Sequence, residues 1–383
     1  MSQAQPMMHL LPQQPGQGGY VTDYCTGRAL LEHPAWTARP PQVARAGAGR
    51  LEPPRALLAA VWQQVLFADE PTHHRLRAAL EVPLTALCAQ MLPFIRQHVT
   101  ALLAQGRRRG DMDLEVDFAT PLAIGTLLHL FGWPEPRPDV AQLADWSSRL
   151  ADLTTGYAML QALPAVQEMA AAFQALVATK QARPADDLAS ALAVSPDLQS
   201  ETERVVLLMT VFGAGTSTTI SVLVNGLPLL LADPARLVAL RAELAAGRAS
   251  LTRLVEELVR LVTPTRYVRR WARGETVLGE EHLAPGCPVQ IELARMNRDP
   301  GVFPDSEYLD WTRPRQPAQA GFGFGVHACP GAPLARLEIR GALEALLTIP
   351  GLRLASPLAG WSTNRNQLRA RGVRVIVPGR DRS

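Results

Sequence analysis

Between Val205 and Ala232 the chain runs VVLLMTVFGAGTSTTISVLVNGLPLLLA, 28 residues without a charge. A stretch of that length has two destinations, the hydrocarbon of a bilayer or the centre of a large folded domain. Its middle decides between them. Gly215-Thr216-Ser217-Thr218-Thr219 puts a polar patch at the depth where lipid offers no hydrogen-bond partner. The run therefore reads as a helix buried in a large domain, its polar patch facing an internal cavity. At 383 residues and 47% hydrophobic content, the chain has enough apolar material to surround such a helix.

The flanks support this placement. Ser200 and Glu203 have the spacing of a capping box, and Asp233-Pro234 ends the run and starts the next helix. Apolar periodicity predicts further helices near 55–67, 72–104, 114–131, 139–152, 164–181, 185–193, 234–246 and 249–262. Val21 to Pro34 reads as a short strand and helix, and Pro40 to Pro54 as a loop. After residue 262 the texture changes: RYVRRWA, TVL, PVQIEL and VRVIVP are short strand-like runs between Gly and Pro turns. The expected fold class is mainly α with a small β portion, in one domain over 20–383. Residues 1–19, rich in Gln, Pro and Gly and without a signal-peptide pattern, are expected to be a disordered lead-in.

Charge and cysteine usage exclude several classes. With 38 Lys/Arg against 35 acids the surface is nearly balanced, so neither nucleic acid nor an anionic membrane is an expected partner. Cys25, Cys88, Cys287 and Cys329 are widely spaced and form no C-x-x-C pair, which signals neither a disulfide framework nor a zinc site. A cytoplasmic, monomeric protein is expected.

The chemistry concentrates in GFGFGVHACPGAPLARLEIRGALEALL, from Gly321 to Leu347. Cys329 stands just before a helix N-terminus, where the dipole and unpaired N–H groups favour thiolate. The glycines leave little side-chain bulk around it, so a large flat group can lie against the loop, and Gly331 permits close approach. Two other readings stand beside a ligand role: a nucleophile with His327 as base, and a core cysteine capping the helix.

The pattern Phe322-x-x-Gly325-x-His327-x-Cys329-x-Gly331, followed by Ala332-x-Leu334-Ala335-Arg336, resembles the haem-binding loop of the cytochrome P450 family in its bacterial soluble form. The resemblance implies that Cys329 is the proximal thiolate ligand of haem b iron, assisting O–O cleavage. Phe322 would pack beside the sulfur and His327 would hold a haem propionate. DEPTHHRLR, from Asp69 to Arg77, resembles a second family segment and implies His73 and Arg77 as propionate partners. Arg270 of RRWA matches a further propionate position, with Arg269 adjacent. Glu257-x-x-Arg260 matches the family's structural ion pair, which Arg313 should complete. ARMNRDPGVFPD resembles another family segment, with Met296 after an extra Arg295. The implied fold is a triangular prism holding haem between the long central helix and the helix after the cysteine loop, with Ala214 and Gly331 against the cofactor.

In the family the central helix carries A-G-x-(acid)-T-T; here it reads Ala214-Gly215-Thr216-Ser217-Thr218-Thr219. Thr218 would donate toward dioxygen. Ser217 occupies the acid's position and is a poorer proton source. Four consecutive hydroxyl residues can back-bond to carbonyls a turn earlier and bend the helix, widening the groove over the iron. Phe212, Arg266 and Tyr267 are candidate pocket residues. Arg266 facing inward implies a carboxylate-bearing substrate, whereas pointing to solvent or pairing with an acid implies nothing about substrate. The strand-helix unit near Tyr20 begins early for the family, which implies a shortened N-terminus and a more open pocket.

The expected function is oxidation of a small organic molecule in bacterial specialised metabolism, using dioxygen. Electrons would come through a ferredoxin and ferredoxin reductase, with Arg336 and Arg340 assisting docking. Oxidative coupling or peroxide-driven oxidation is the enzymatic alternative, and a non-turnover haem-binding recruitment module the other.

Overall fold

The computed structural model describes residues 19–40, 61, 64–155, 159–314, 316–362, 364 and 366–379. Its axis is the helix Glu201–Leu231, 31 residues long. Ser200 starts it from an extended backbone (φ −144°, ψ 160°), its Oγ accepting the Glu203 N–H at 3.1 Å. Glu203 does not complete the reciprocal bond of a capping box. Its carboxylate accepts the N–H of Gln199 at 2.7 Å and binds Arg75 at 2.6 and 2.8 Å. At the far end Asp233 Oδ1 accepts the N–H groups of Ala235 and Arg236, and Pro234 opens the next helix. The central helix has a span's length and composition, yet 78% of its most apolar window is buried inside the fold, so it is a core helix.

In chain order the helices are α1 (Tyr24–Glu32), α2 (Thr72–Cys88), α3 (Met91–Arg109), α4 (Thr120–Leu130), α5 (Val140–Thr155), α6 (Met159–Ala182), α7 (Leu188–Ala193), the central helix α8, α9 (Pro234–Ala245), α10 (Leu251–Val262), α11 (Leu293–Met296) and α12 (Ala332–Leu346). Helices α3 to α8, α10 and α12 enclose one apolar core in which Ile95, Phe118, Leu122, Phe173, Leu208 and Ala342 are fully buried. At roughly 25 cal/mol per Å² of apolar surface removed from water, this burial is the main force holding the helices around α8.

Two helical segments differ from the sequence pattern. The run 72–104 is two helices bent by 64°. Pro93 explains the break, because it lacks an N–H for Ala89, four residues back, and its ring crowds that carbonyl. Over 114–131 a π-helical turn, Leu114–Ala119, precedes α4, and Pro121 has no N–H to donate to Asp117. Of the helix expected over 55–67, residues 55–60, 62 and 63 lie outside the described residues. Its end is a turn in which Phe67 and Ala68 both donate to the Gln64 carbonyl at 2.9 Å. The expectations for the lead-in and most of the 40–54 loop also fall outside the described residues, whereas the strand and helix expected from Val21 to Pro34 are present as Gly19–Val21 and α1.

Among the described residues the β portion forms four small sheets from eleven strands: β1 (Gly19–Val21), β2 (Trp36–Thr37), β3 (Asp111–Asp113), β4 (Val268–Ala272), β5 (Thr276–Leu278), β6 (Glu281–Leu283), β7 (Pro288–Ile291), β8 (Arg353–Leu354), β9 (Gly360–Trp361), β10 (Ala370–Arg371) and β11 (Arg374–Ile376). The largest has the order β1-β7-β4-β2, parallel between β1 and β7 and antiparallel elsewhere. On β4 the side chains alternate, so Arg269 is exposed while Arg270 turns inward.

A buried ion-pair network ties α10 to the segment before the cysteine loop. Arg260, 1% exposed, donates bidentately to Glu257 at 2.7 and 2.8 Å and also to the carbonyls of Asn297, Ser306 and Tyr308. Glu257 further accepts from Arg313 at 3.2 Å and from the Asp310 N–H at 3.0 Å. Every charge in it has partners, which is the condition for burying one.

Candidate active site

The cysteine loop is built by backbone bonds. A 3-10 turn, Ala320–Phe322, is fixed by Asn297 Oδ1 accepting the Ala320 N–H at 2.6 Å. The chain then reverses through Gly323, enters a second 3-10 turn at Gly325–His327, and is closed by Cys329 N–H donating to the Phe322 carbonyl at 2.8 Å. Gly325 cannot be replaced freely: its φ is +70°, and a Cβ there would lie 2.4 Å from the Leu31 carbonyl oxygen. Gly331 differs. A Cβ on it would meet no protein atom nearer than Cys329 Sγ at 3.8 Å, so the room it leaves is room in the cavity.

That cavity, about 790 Å³, is walled on one side by Phe322, Cys329, Gly331 and Leu334, and on another by Ala214, Ser217, Thr218 and Thr219 of α8. Arg77, Arg270 and His327 line it too, as does Tyr267. His73 lies behind His327, ring centroids 4.3 Å apart. Phe212 and Arg266 are not in the wall. Phe212 is fully buried against Phe173, because it stands two residues, about 200° of helix, from Ala214. Arg266 is absent from the wall although its neighbours Thr265 and Tyr267 line it; it is half-buried and lies near the charge of Glu292. The inward-facing reading of Arg266 is thereby corrected, and Arg266 gives no indication of a substrate carboxylate. Arg336 and Arg340 are also less available than expected: Arg336 pairs with Glu256 at 2.5 Å and Arg340 with Glu344 at 2.8 Å.

Electrostatics along one edge are strongly basic. Burial, together with Arg270, His73 and Arg77, pushes His327 down to about 3. Burial brings Arg270 down to about 10 and also lowers His73, with Glu70 opposing the latter. His73 Nε2 is buried without a hydrogen-bond partner. Such a cluster asks for anionic groups. Cys329 opens onto the cavity but is otherwise enclosed, so burial raises its thiol pKa, while the N–H groups of Gly331 and Ala332 and the charge of Arg77 oppose it. Among the described residues no three His, Cys, Asp or Glu side chains converge. One thiolate, a flat space over glycine and a basic edge fit haem with its propionates.

On the α8 wall the helix is unbroken. The hydroxyls of Thr216, Ser217 and Thr218 donate to carbonyls four residues back at 2.7, 3.1 and 2.7 Å. The fourth does not: Thr219 Oγ1 donates to Glu338 Oε2 at 3.1 Å. The Ser217 carbonyl takes additional bonds from Ser221 Oγ and from Arg369, which is paired with Glu115. Glu338, on α12, lines the same cavity, is 2% exposed, and has Oε1 without a partner. Burial raises its carboxyl to about 8. Sequence reading passed over Glu338. The available signal was an acid four residues after Leu334, on the apolar face of an amphipathic helix.

Fold and pocket together define a haem-thiolate protein. Residues 166–348 match the family model described as Cytochrome P450. The chain is 32% identical to mycinamicin IV hydroxylase/epoxidase of Micromonospora griseorubida, over 93% of this chain and 88% of that one. It is 31% identical to 6-deoxyerythronolide B hydroxylase of Saccharopolyspora erythraea, covering 75% and 70%. The crystal structure of P450BioI in complex with an acyl carrier protein ligated to hexadec-9Z-enoic acid superposes with a TM-score of 0.82 at 28% identity, covering 94% of this chain and 92% of that one. This chain belongs to the cytochrome P450 family, has its fold and is a haem-dependent monooxygenase. The recruitment-module alternative is set aside by relatives named as hydroxylases.

Proposed function

We propose that the protein inserts oxygen into a small, largely apolar molecule of bacterial specialised metabolism, with Cys329 Sγ as the sole protein ligand of haem iron. The observation that carries this is the convergence of Cys329, the basic edge and the hydroxyl-bearing α8 wall on one cavity. His73, Arg77, Arg270 and His327 would hold the propionates; Phe322, Gly331 and Ala214 would contact the macrocycle. Arg336, its guanidinium 4.4 Å from the centre of the Phe322 ring, braces that ring. Bound haem supplies the activation of dioxygen.

The remaining chemistry belongs to the chain. Ser217 and Thr218 spend their hydroxyl protons on helix carbonyls, so neither stores one for transfer. Glu338 does. Burial raises its carboxyl to about 8, which favours the protonated form; it touches Thr219 and lines the same cavity. Glu338 therefore takes the role of proton reserve that an acid at position 217 would have. The relatives' names support a specialised-metabolite substrate, and electrons are assigned to a ferredoxin and its reductase. Turnover with a surrogate ferredoxin system and labelled dioxygen tests the reaction: labelled product is expected, and product without label would establish coupling instead.

A further inference from the structure

One polar pair interrupts the apolar roof of the cavity. Gln64 and Thr210, each 6% exposed, both line it, and their side chains meet across 146 residues of sequence. Their neighbours in the wall include Val65, Leu150 and Val211. Thr210 lies one helical turn, about 6 Å, before Ala214 on the same face of α8, so the pair overlooks the place where a substrate would sit.

Proton counting fixes which end of the amide faces inward. The Thr210 hydroxyl is 2.7 Å from the Val206 carbonyl and also meets Gln64 Oε1, although an amide's O and N ends are interchangeable in shape. A hydroxyl has one proton. If it goes to Gln64 Oε1, the three groups make one side-chain bond. If it goes to Val206, and the amide is oriented with Nε2 donating to Thr210 Oγ1, they make two. The second arrangement leaves Gln64 Oε1 as an acceptor toward the cavity. Gln290, a cavity glutamine on β7, is instead tied at both ends, to Arg269 and Glu292.

From this geometry we infer that Gln64 is a specificity-determining residue that accepts a hydrogen bond from a hydroxyl or N–H of the substrate, held in place by Thr210. The inference rests on the monooxygenase reading of the same cavity. Positioning follows from the backbone, since the Gln64 carbonyl accepts two turn bonds, from Phe67 and Ala68.

Calorimetric titration of the holoenzyme with cyclododecanol, its methyl ether and cyclododecanone, three probes of one carbon skeleton, tests it. The alcohol alone can donate, and leaving a buried acceptor unpaired is expected to weaken the ether and ketone about tenfold. Gln64→Leu removes the acceptor, and with it both the alcohol's bond and the ketone's penalty, so the two should bind alike. Thr210→Val, which releases the amide, should narrow the alcohol's advantage. A ketone that binds as tightly as the alcohol to the unaltered holoenzyme overturns the inference, as does an alcohol preference that survives Gln64→Leu. A thiolate-type spectrum in the same preparation, with no alcohol preference, would sink this inference while leaving the haem-thiolate reading intact.

Discussion

Glu338→Gln separates the proton on this side chain from its shape. The amide keeps the volume and still offers Thr219 an acceptor, but it does not titrate. In the native fold the carboxyl holds its proton up to about 8, whereas the unfolded chain releases it in the ordinary carboxylate range. Between those limits the folded state binds one more proton than the unfolded state. Stability contributed by this group is therefore complete below the unfolded pKa and is lost as pH rises toward 8. The slope is about 1.4 kcal/mol per pH unit, so between about pH 5.5 and pH 7.5 the unaltered protein should lose about 3 kcal/mol relative to Glu338→Gln. Urea unfolding of both proteins at each pH measures this. A stability difference that stays flat across the window would mean that Glu338 is already ionised at the acid end, and the proton-reserve role would fall with it.

Other perturbations follow from the same geometry. Glu257→Ala leaves Arg260 charged and almost wholly buried without its carboxylate, and should cost about 3–5 kcal/mol in urea unfolding, the usual effect of breaking a buried pair; a loss under about 1 kcal/mol would contradict the network's role. Gly325→Ala drives a Cβ into the Leu31 carbonyl and should destabilise the fold itself. Gly331→Ala meets almost no protein and should instead lower haem content at unchanged apoprotein stability, so equal behaviour of the two variants would refute the distinction. Ser217→Asp places an acid near Arg369 and should raise product formed per electron consumed without changing haem content. Haem loss with unaltered coupling would count against that.

What could be read from the sequence was whatever local chemistry dictates. The uncharged run could only be a core helix, and it is one. The cysteine loop needed glycines at set positions, and Gly325 shows why. Position around an element was harder to read. Phe212, a candidate pocket residue, stands two residues before Ala214, and side chains two apart on a helix point to nearly opposite sides. Arg266 likewise lies outside the wall although Thr265 and Tyr267, its neighbours in sequence, both line it. The bend after α2 had a local cause in Pro93, hidden by apolar periodicity that runs across the break. Glu338 and Gln64 were hard to read for another reason. Each takes its meaning from a partner far along the chain, Thr219 at 119 residues and Thr210 at 146; an acid on an apolar helix face was the one local hint of the first, and nothing local announces the second.

The central claim is that Cys329 supplies a thiolate to haem iron within this pocket. The carbon-monoxide difference spectrum of the reduced holoprotein tests it most directly. A thiolate-type Soret band is expected, and Cys329→Ser should abolish it. A band of the histidine-ligated type in the unaltered protein, or a thiolate-type band that persists in Cys329→Ser, would contradict the account.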